Sequence, residues 1–135
     1  MPPEHLPPED PREWLNRARS NLARSRVRQP DVYLEDLCFD AQQASEKSLK
    51  ALLIARRIRF PFTHNLGELI ALLQQDGVVI PESVLQAAAL TDYAVEARYP
   101  GPSEPVRPDQ HTRAVALAEA VVQWVAQQIP EPKDK

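Results

Sequence analysis

Glycine is scarce in this chain: three residues in 135, at Gly67, Gly77 and Gly101. They are too few and too scattered to cradle a phosphate. Neither GxGxxG nor GxxxxGK followed by Ser or Thr occurs, so the common nucleotide-binding loops are excluded, though not nucleotide binding by other means. A single cysteine, Cys38, rules out an intramolecular disulfide and suits a reducing cytoplasm. The histidines, His5, His64 and His111, are isolated, and no HExxH or paired cysteine is present. Neither a metal site nor a cofactor is expected from that pattern. Aromatic residues make up only 6% of the chain, which argues against a multi-ring stacking platform for single-stranded nucleic acid. The net charge of −3 gives no general attraction to nucleic acid or anionic membrane. No apolar run approaches the roughly 20 residues of a membrane span. The start, MPPEHLPPEDP, lacks the basic and apolar regions of a secretory signal. A soluble, cytoplasmic protein is the expectation.

What is present is helical punctuation. The length predicts one domain, large enough to bury a core. Apolar residues at 43% and charged ones at 26% are ordinary for a globular chain. Fourteen prolines mark the joints. Residues 1–10 read as a Pro-rich flexible N-terminus. Asp10-Pro11 is an N-cap followed by Pro at the first helical position, predicting a helix from Pro11 to about Arg28. Gln29-Pro30 breaks it, and Asp31 is the expected cap of a second helix to about Ile58. Asn65 with Glu68, or alternatively Thr63, caps a third that ends at Asp76-Gly77. Val78-Val79-Ile80 reads as an apolar loop tucked onto the core. Pro81 opens a fourth helix to about Tyr99. The proline- and glycine-rich 100–108 is a loop, and a last helix runs from Pro108 to Gln128. Residues 130–135 read as a disordered tail. No strand pattern or fixed-period repeat competes. The expected fold is all-α, an up-and-down bundle of four to five helices spanning 11–129.

The second helix carries two stripes. Leu34, Leu37, Cys38, Ala41, Leu49, Leu52 and Leu53 recur at three-and-four spacing and face a core. Cys38 lies among them and reads as a small core residue. Asp36, Asp40, Gln43, Lys47 and Lys50 fall on nearly the opposite side. That side is either an ordinary wet surface or a shallow site where Lys47 and Lys50 meet a phosphate. Arg59 and Arg57 share a short connection with His64, a pairing of fixed cation and titratable imidazole that could serve RNA cleavage: the imidazole moves a 2′-hydroxyl proton while Arg stabilises developing charge. A histidine that merely orients the third helix is the plainer reading. Arg98 and Tyr99 close the fourth helix, where Arg98 suits the helix dipole or a phosphate. The final helix, AVALAEAVVQWVA, is apolar around most of its circumference, which suggests cover on more than one side and an oligomer contact at Val121 or Val122.

Taken together and in order, FDAQQASEKSLKALL, THNLGELIALL and LTDYAVEARYPG resemble the HEPN domain (higher eukaryotes and prokaryotes nucleotide-binding), over roughly Trp14 to Gln128. The resemblance implies an all-α bundle. It also implies one of three roles: pairing with a separate minimal nucleotidyltransferase, sometimes as a toxin–antitoxin system; metal-independent ribonuclease activity through Arg-x4-6-His; or non-catalytic nucleotide binding. In the ribonuclease branch that motif lies near the start of the last core helix. Here only Arg59 or Arg57 with His64 matches the spacing, between the second and third helices. The toxin branch carries a tyrosine two residues after its histidine, where this chain has Leu66. The transferase's own Gly-Ser motif is absent. The resemblance also falls on Gln42, Gln43, Glu46, Lys47 and Lys50. It leaves open whether they form a ligand site or order the bundle through hydrogen bonds to Thr63-His64-Asn65.

The expectation from the sequence is therefore a non-catalytic, self-associating bundle that binds a nucleotide, docks on a nucleotidyltransferase, or both. Lys47, Lys50 and Arg98 would hold phosphate, His64 would hydrogen-bond, and Tyr93 and Tyr99 would pack or stack. A ribonuclease using Arg59 and His64, and a homo-oligomeric scaffold, are the alternatives.

Overall fold

The computed structural model describes residues 1–94 and 105–129. Those residues form helices α1 (Pro11–Ser25), α2 (Leu34–Ala55), α3 (Leu66–Gln75), α4 (Glu82–Gln86) and α5 (Pro108–Gln128), with a 3-10 segment, Ala87–Ala94, continuing α4. No strand is present among them. The long helices α1, α2 and α5 pack on one another, and α3 and the 3-10 segment close the other side of α2. None of the helices is long and apolar enough to cross a membrane.

The starts of α1 and α3 follow from their caps. Asp10 Oδ1 accepts from the backbone N–H of Arg12 at 2.9 Å, with Pro11 behind it. At α3 both proposed caps are used. Asn65 Oδ1 accepts from Glu68 N (3.2 Å), while Thr63 Oγ1, not the Glu68 carboxylate, accepts from Asn65 N (3.0 Å). A Cβ on Gly67 would lie 3.1 Å from Asn65 Oδ1, so a residue without a side chain suits this cap. Residues before α1 are irregular but strapped down: Leu6 N donates to Glu13 and Trp14 Nε1 to Pro8 O.

Four boundaries differ from the periodicity. Helices α1 and α2 stop at Ser25 and Ala55, each three residues early. Asp31 does not cap α2; it lies in the turn where Val32 N donates to Gln29 O, and Tyr33 takes the cap position without a side-chain bond. The expected fourth helix is one short turn followed by 3-10 winding. At three residues per turn, Ala87, Leu90 and Tyr93 align on one line; the first two are buried and Tyr93 is half-buried against the core. The rest of that expected helix, including Arg98 and Tyr99, lies outside the described residues.

Helix α2 is the central element, and its polar stripe is only in part a wet side: Asp40 and Lys50 are buried, Gln43 and Lys47 half-buried, and Asp36 exposed. Asp40, Gln42, Ser45, Glu46, Ser48 and Lys50 are buried along with the aliphatic face. Helix α5 is likewise covered from within. Leu117, Ala118, Val121, Val122 and Val125 are buried in the chain's own core, so the surface expected at Val121 and Val122 for self-association is already occupied. Cys38 is fully buried, and burial pushes its thiol up to about 11, with the nearby Glu35 adding to the rise and a hydrogen bond with Tyr93 partly offsetting it.

Candidate functional site

The connection between α2 and α3 is shaped by how α2 ends. Arg57 N donates to Ile54 O and Ile58 N to Leu53 O (2.9 Å), the paired bonds of a Schellman stop. Arg57 sits in the left-handed region with φ 60, a position that usually falls to glycine. The same stop ends α3, and there Gly77 takes the positive φ. The chain then turns back over α2. Phe60 packs partly against the core and Pro61 follows, and Leu66 N donates to Thr91 Oγ1, which pins the start of α3 to the 3-10 segment.

Beneath this loop lie Gln42, Glu46 and Lys50, four residues apart and therefore on one face of α2. Lys50 Nζ meets Glu46 Oε2 at 2.9 Å, with only 6% and 5% of the two side chains exposed. Glu46 Oε1 accepts from Gln42 Nε2 (3.1 Å) and Gln43 Nε2 (3.3 Å), and His64 Nδ1 lies 2.8 Å from it. Gln42 also donates to the backbone carbonyl of His64 at 3.0 Å. Burial alone would raise the Glu46 carboxyl. The hydrogen bonds from Lys50, Gln42 and His64 outweigh it and hold the group below its ordinary value. An ionised carboxylate only accepts, so its partner His64 Nδ1 carries the hydrogen. In the neutral ring, Nε2 is then an acceptor. The ring is 44% exposed.

Two aromatic rings frame the cluster. Lys50 Nζ lies 5.8 Å from the Phe60 centroid and 5.7 Å from that of Phe62. Phe62 stands edge-to-face with His64, centroids 5.3 Å apart at 72°, and is itself 90% exposed. Arg57 and Arg59 are exposed on the same loop.

Of the residues expected to form one site, Lys50 and His64 are brought together, through Glu46. Lys47 is not among them. It faces α1, donating to Asn21 Oδ1 at 2.7 Å, while Asn21 Nδ2 donates to Asp40 Oδ1. Arg24 approaches the other Asp40 oxygen at 3.4 Å. Burial is the main reason the Lys47 ammonium is held below its ordinary value. Tyr93 lies against Cys38, and its hydroxyl is raised chiefly by burial and then by that thiol. Arg59 and His64 share the loop without a hydrogen bond between them. His111 is buried elsewhere, its Nε2 2.7 Å from Ser25 O.

The sequence reading left out of the site its hub, Glu46, and the exposed ring of Phe62. The spacing of Gln42, Glu46 and Lys50 carried the signal for the first. Nothing in the sequence marks an apolar residue beside proline as solvent-facing.

A second feature lies at the corner between α1 and α2. A cleft of about 620 Å³ is lined by apolar Val27, Val32, Leu37 and Phe39, with Arg24 and Asp36 among its charged residues. Tyr33, in the same connection, is 76% exposed, and Val27 is 52% exposed.

The fold and the loop define a helical-bundle domain whose central helix clamps an imidazole beside an open aromatic ring. Residues 11–129 match the HEPN domain, and the chain belongs to that family. Its structure is similar to that of TT1696 from Thermus thermophilus, with a TM-score of 0.78 and 32% identity over 90% of this chain and 99% of that one. It is also similar to ST0689, an archaeal HEPN homologue, with a TM-score of 0.67 and 26% identity over 87% of this chain and 96% of the other. No curated protein matches it.

Proposed function

We propose that this HEPN domain is a non-catalytic nucleotide-binding bundle and that the nucleotide lies on the loop between α2 and α3. One observation carries the reading: His64 is fixed by the buried Glu46–Lys50 pair and presented beside a Phe62 ring that is 90% exposed. A fixed hydrogen-bonding ring next to an open aromatic face suits a nucleobase, and the exposed guanidiniums of Arg57 and Arg59 suit its phosphate. Lys50 is committed to Glu46 and Lys47 to Asn21, so the phosphate role falls to these arginines rather than to the lysines of α2. Thermal unfolding with and without millimolar nucleoside monophosphates tests this. A ligand at 100 times its Kd stabilises the native state by about 2.7 kcal/mol. The reading requires a rise of several degrees that is lost in Phe62→Ala; no rise with any nucleotide would remove it.

Pairing with a separate minimal nucleotidyltransferase, as in a toxin–antitoxin-like system, is a compatible second role. The apolar corner at Tyr33 and Val27 favours it as a docking surface. Tyr33→Glu would then abolish capture of the transferase and leave nucleotide stabilisation unchanged. The ribonuclease alternative draws on the Glu46–His64 contact, because a carboxylate that fixes Nδ1–H leaves Nε2 able to take a proton. It requires RNA cleavage in chelator that disappears in His64→Ala.

A further inference from the structure

The geometry points to a ligand that presents an N–H donor from the edge of an aromatic base to His64 Nε2. This makes the loop selective for bases such as adenine that carry an amino group, and it rests on the nucleotide-binding reading above.

Glu46 fixes which ring nitrogen of His64 faces inward as a donor. Glu46 Oε1 lies 2.8 Å from Nδ1 and, as a carboxylate oxygen, has no hydrogen to give. It is held ionised by Lys50 at 2.9 Å and by Gln42 at 3.1 Å. Gln42 also holds the His64 backbone carbonyl, so the residue is fixed at both its main chain and its ring. In its neutral form the imidazole therefore carries its hydrogen on the inner nitrogen and turns a lone pair outward. No described residue donates to that nitrogen, and the ring is 44% exposed. An acceptor in this position repels a phosphate oxygen. It bonds an N–H or O–H group.

The neighbouring ring selects between those donors. The Phe62 and His64 planes meet at 72° with centroids 5.3 Å apart. A planar base lying on Phe62 can direct an in-plane N–H along the imidazole plane toward Nε2. Adenine meets both demands, with a face for stacking and an N6 amino group on its edge. Purine riboside has the same face and no N–H on its base.

The comparison of adenosine monophosphate with purine riboside monophosphate, by calorimetric titration of the intact chain at neutral pH, isolates this bond. The two ligands share ribose, phosphate and stacking surface. The inference requires adenosine monophosphate to bind several-fold more tightly, in line with one hydrogen bond. It also requires His64→Phe, which keeps an aromatic ring at the position, to bind both ligands equally. Equal binding of the two ligands by the wild type would overturn the inference and leave the nucleotide reading standing. Failure of both to bind the wild type would overturn the two together. A preference that persists in His64→Phe would place the amino-group contact elsewhere and so also overturn it.

Discussion

Lys47 and Lys50 are three positions apart on one helix, yet they do opposite things to the fold. Lys50 is paired directly with the buried Glu46 carboxylate, with 2.9 Å between them. Removing it leaves a buried charge short of a partner, which typically costs about 3–5 kcal/mol. Lys47 is a cation the fold holds reluctantly, as its depressed pKa indicates. Lys50→Met should therefore lower stability by about 3 kcal/mol in urea denaturation, whereas Lys47→Met, which costs Asn21 one donor, should stay within about 1 kcal/mol. The double variant Glu46→Met plus Lys50→Met should recover most of the loss, since it removes both charges together. The pH dependence has a definite sign. Glu46 is held below its ordinary value of 4.5, so the stability it contributes is complete above that value. That stability is lost as pH falls through the lower value of the folded state. The gap between wild type and Glu46→Gln should thus be widest near neutrality and shrink below pH 4.5.

At the scale of the element, the end of α2 holds its loop at a cost. Arg57 occupies φ 60, where a Cβ crowds the following carbonyl, while the equivalent stop in α3 uses Gly77. Arg57→Gly should raise stability by up to about 1 kcal/mol in thermal or urea denaturation, and a drop would mean that the arginine side chain itself holds the loop. The limits of α5, the start of α1 and the cap of α3 were legible in the sequence because caps and prolines are local chemistry. The second helix was legible only by half. Periodicity finds amphipathic helices by the contrast between their faces. A helix covered on more than one side, with buried polar residues paired to one another, has the same pattern as one with a solvated back. Gln42, Glu46 and Lys50 belong to the first kind because α3 and its loop fold over them. That is a tertiary fact that no local spacing contains. The 3-10 winding of Ala87–Ala94 was hidden for a related reason: residues at i and i+3 fit either helix type. For the site, the pairing of His64 with Lys50 was visible, and so was the reading in which the polar face of α2 bonds to His64. The separation of Lys47 from that cluster was not, because it depends on where α1 lies.

For the whole molecule, the bundle spends its apolar helices on itself. Val121 is fully buried between α5 and its neighbours, so Val121→Asp should lower the melting temperature by at least roughly 10 °C in a circular-dichroism melt, rather than release a folded monomer. A folded, stable variant with altered mass would instead return α5 to the role of an interface. Among the described residues, the α1–α2 corner and the loop from Arg57 to His64 both expose apolar surface, and the proposed function places a partner on the first and a nucleotide on the second. The most direct test of the second is nitrogen-15 NMR of the histidine rings during titration with adenosine monophosphate at neutral pH. His111 supplies an internal reference, because its Nε2 faces the Ser25 carbonyl, an acceptor, and must carry the hydrogen. His64 should show the opposite tautomer, with hydrogen on Nδ1, and its Nε2 resonance should move as ligand is added while His111 stays still. A His64 ring with hydrogen on Nε2, or one that does not respond to saturating nucleotide, would contradict the account.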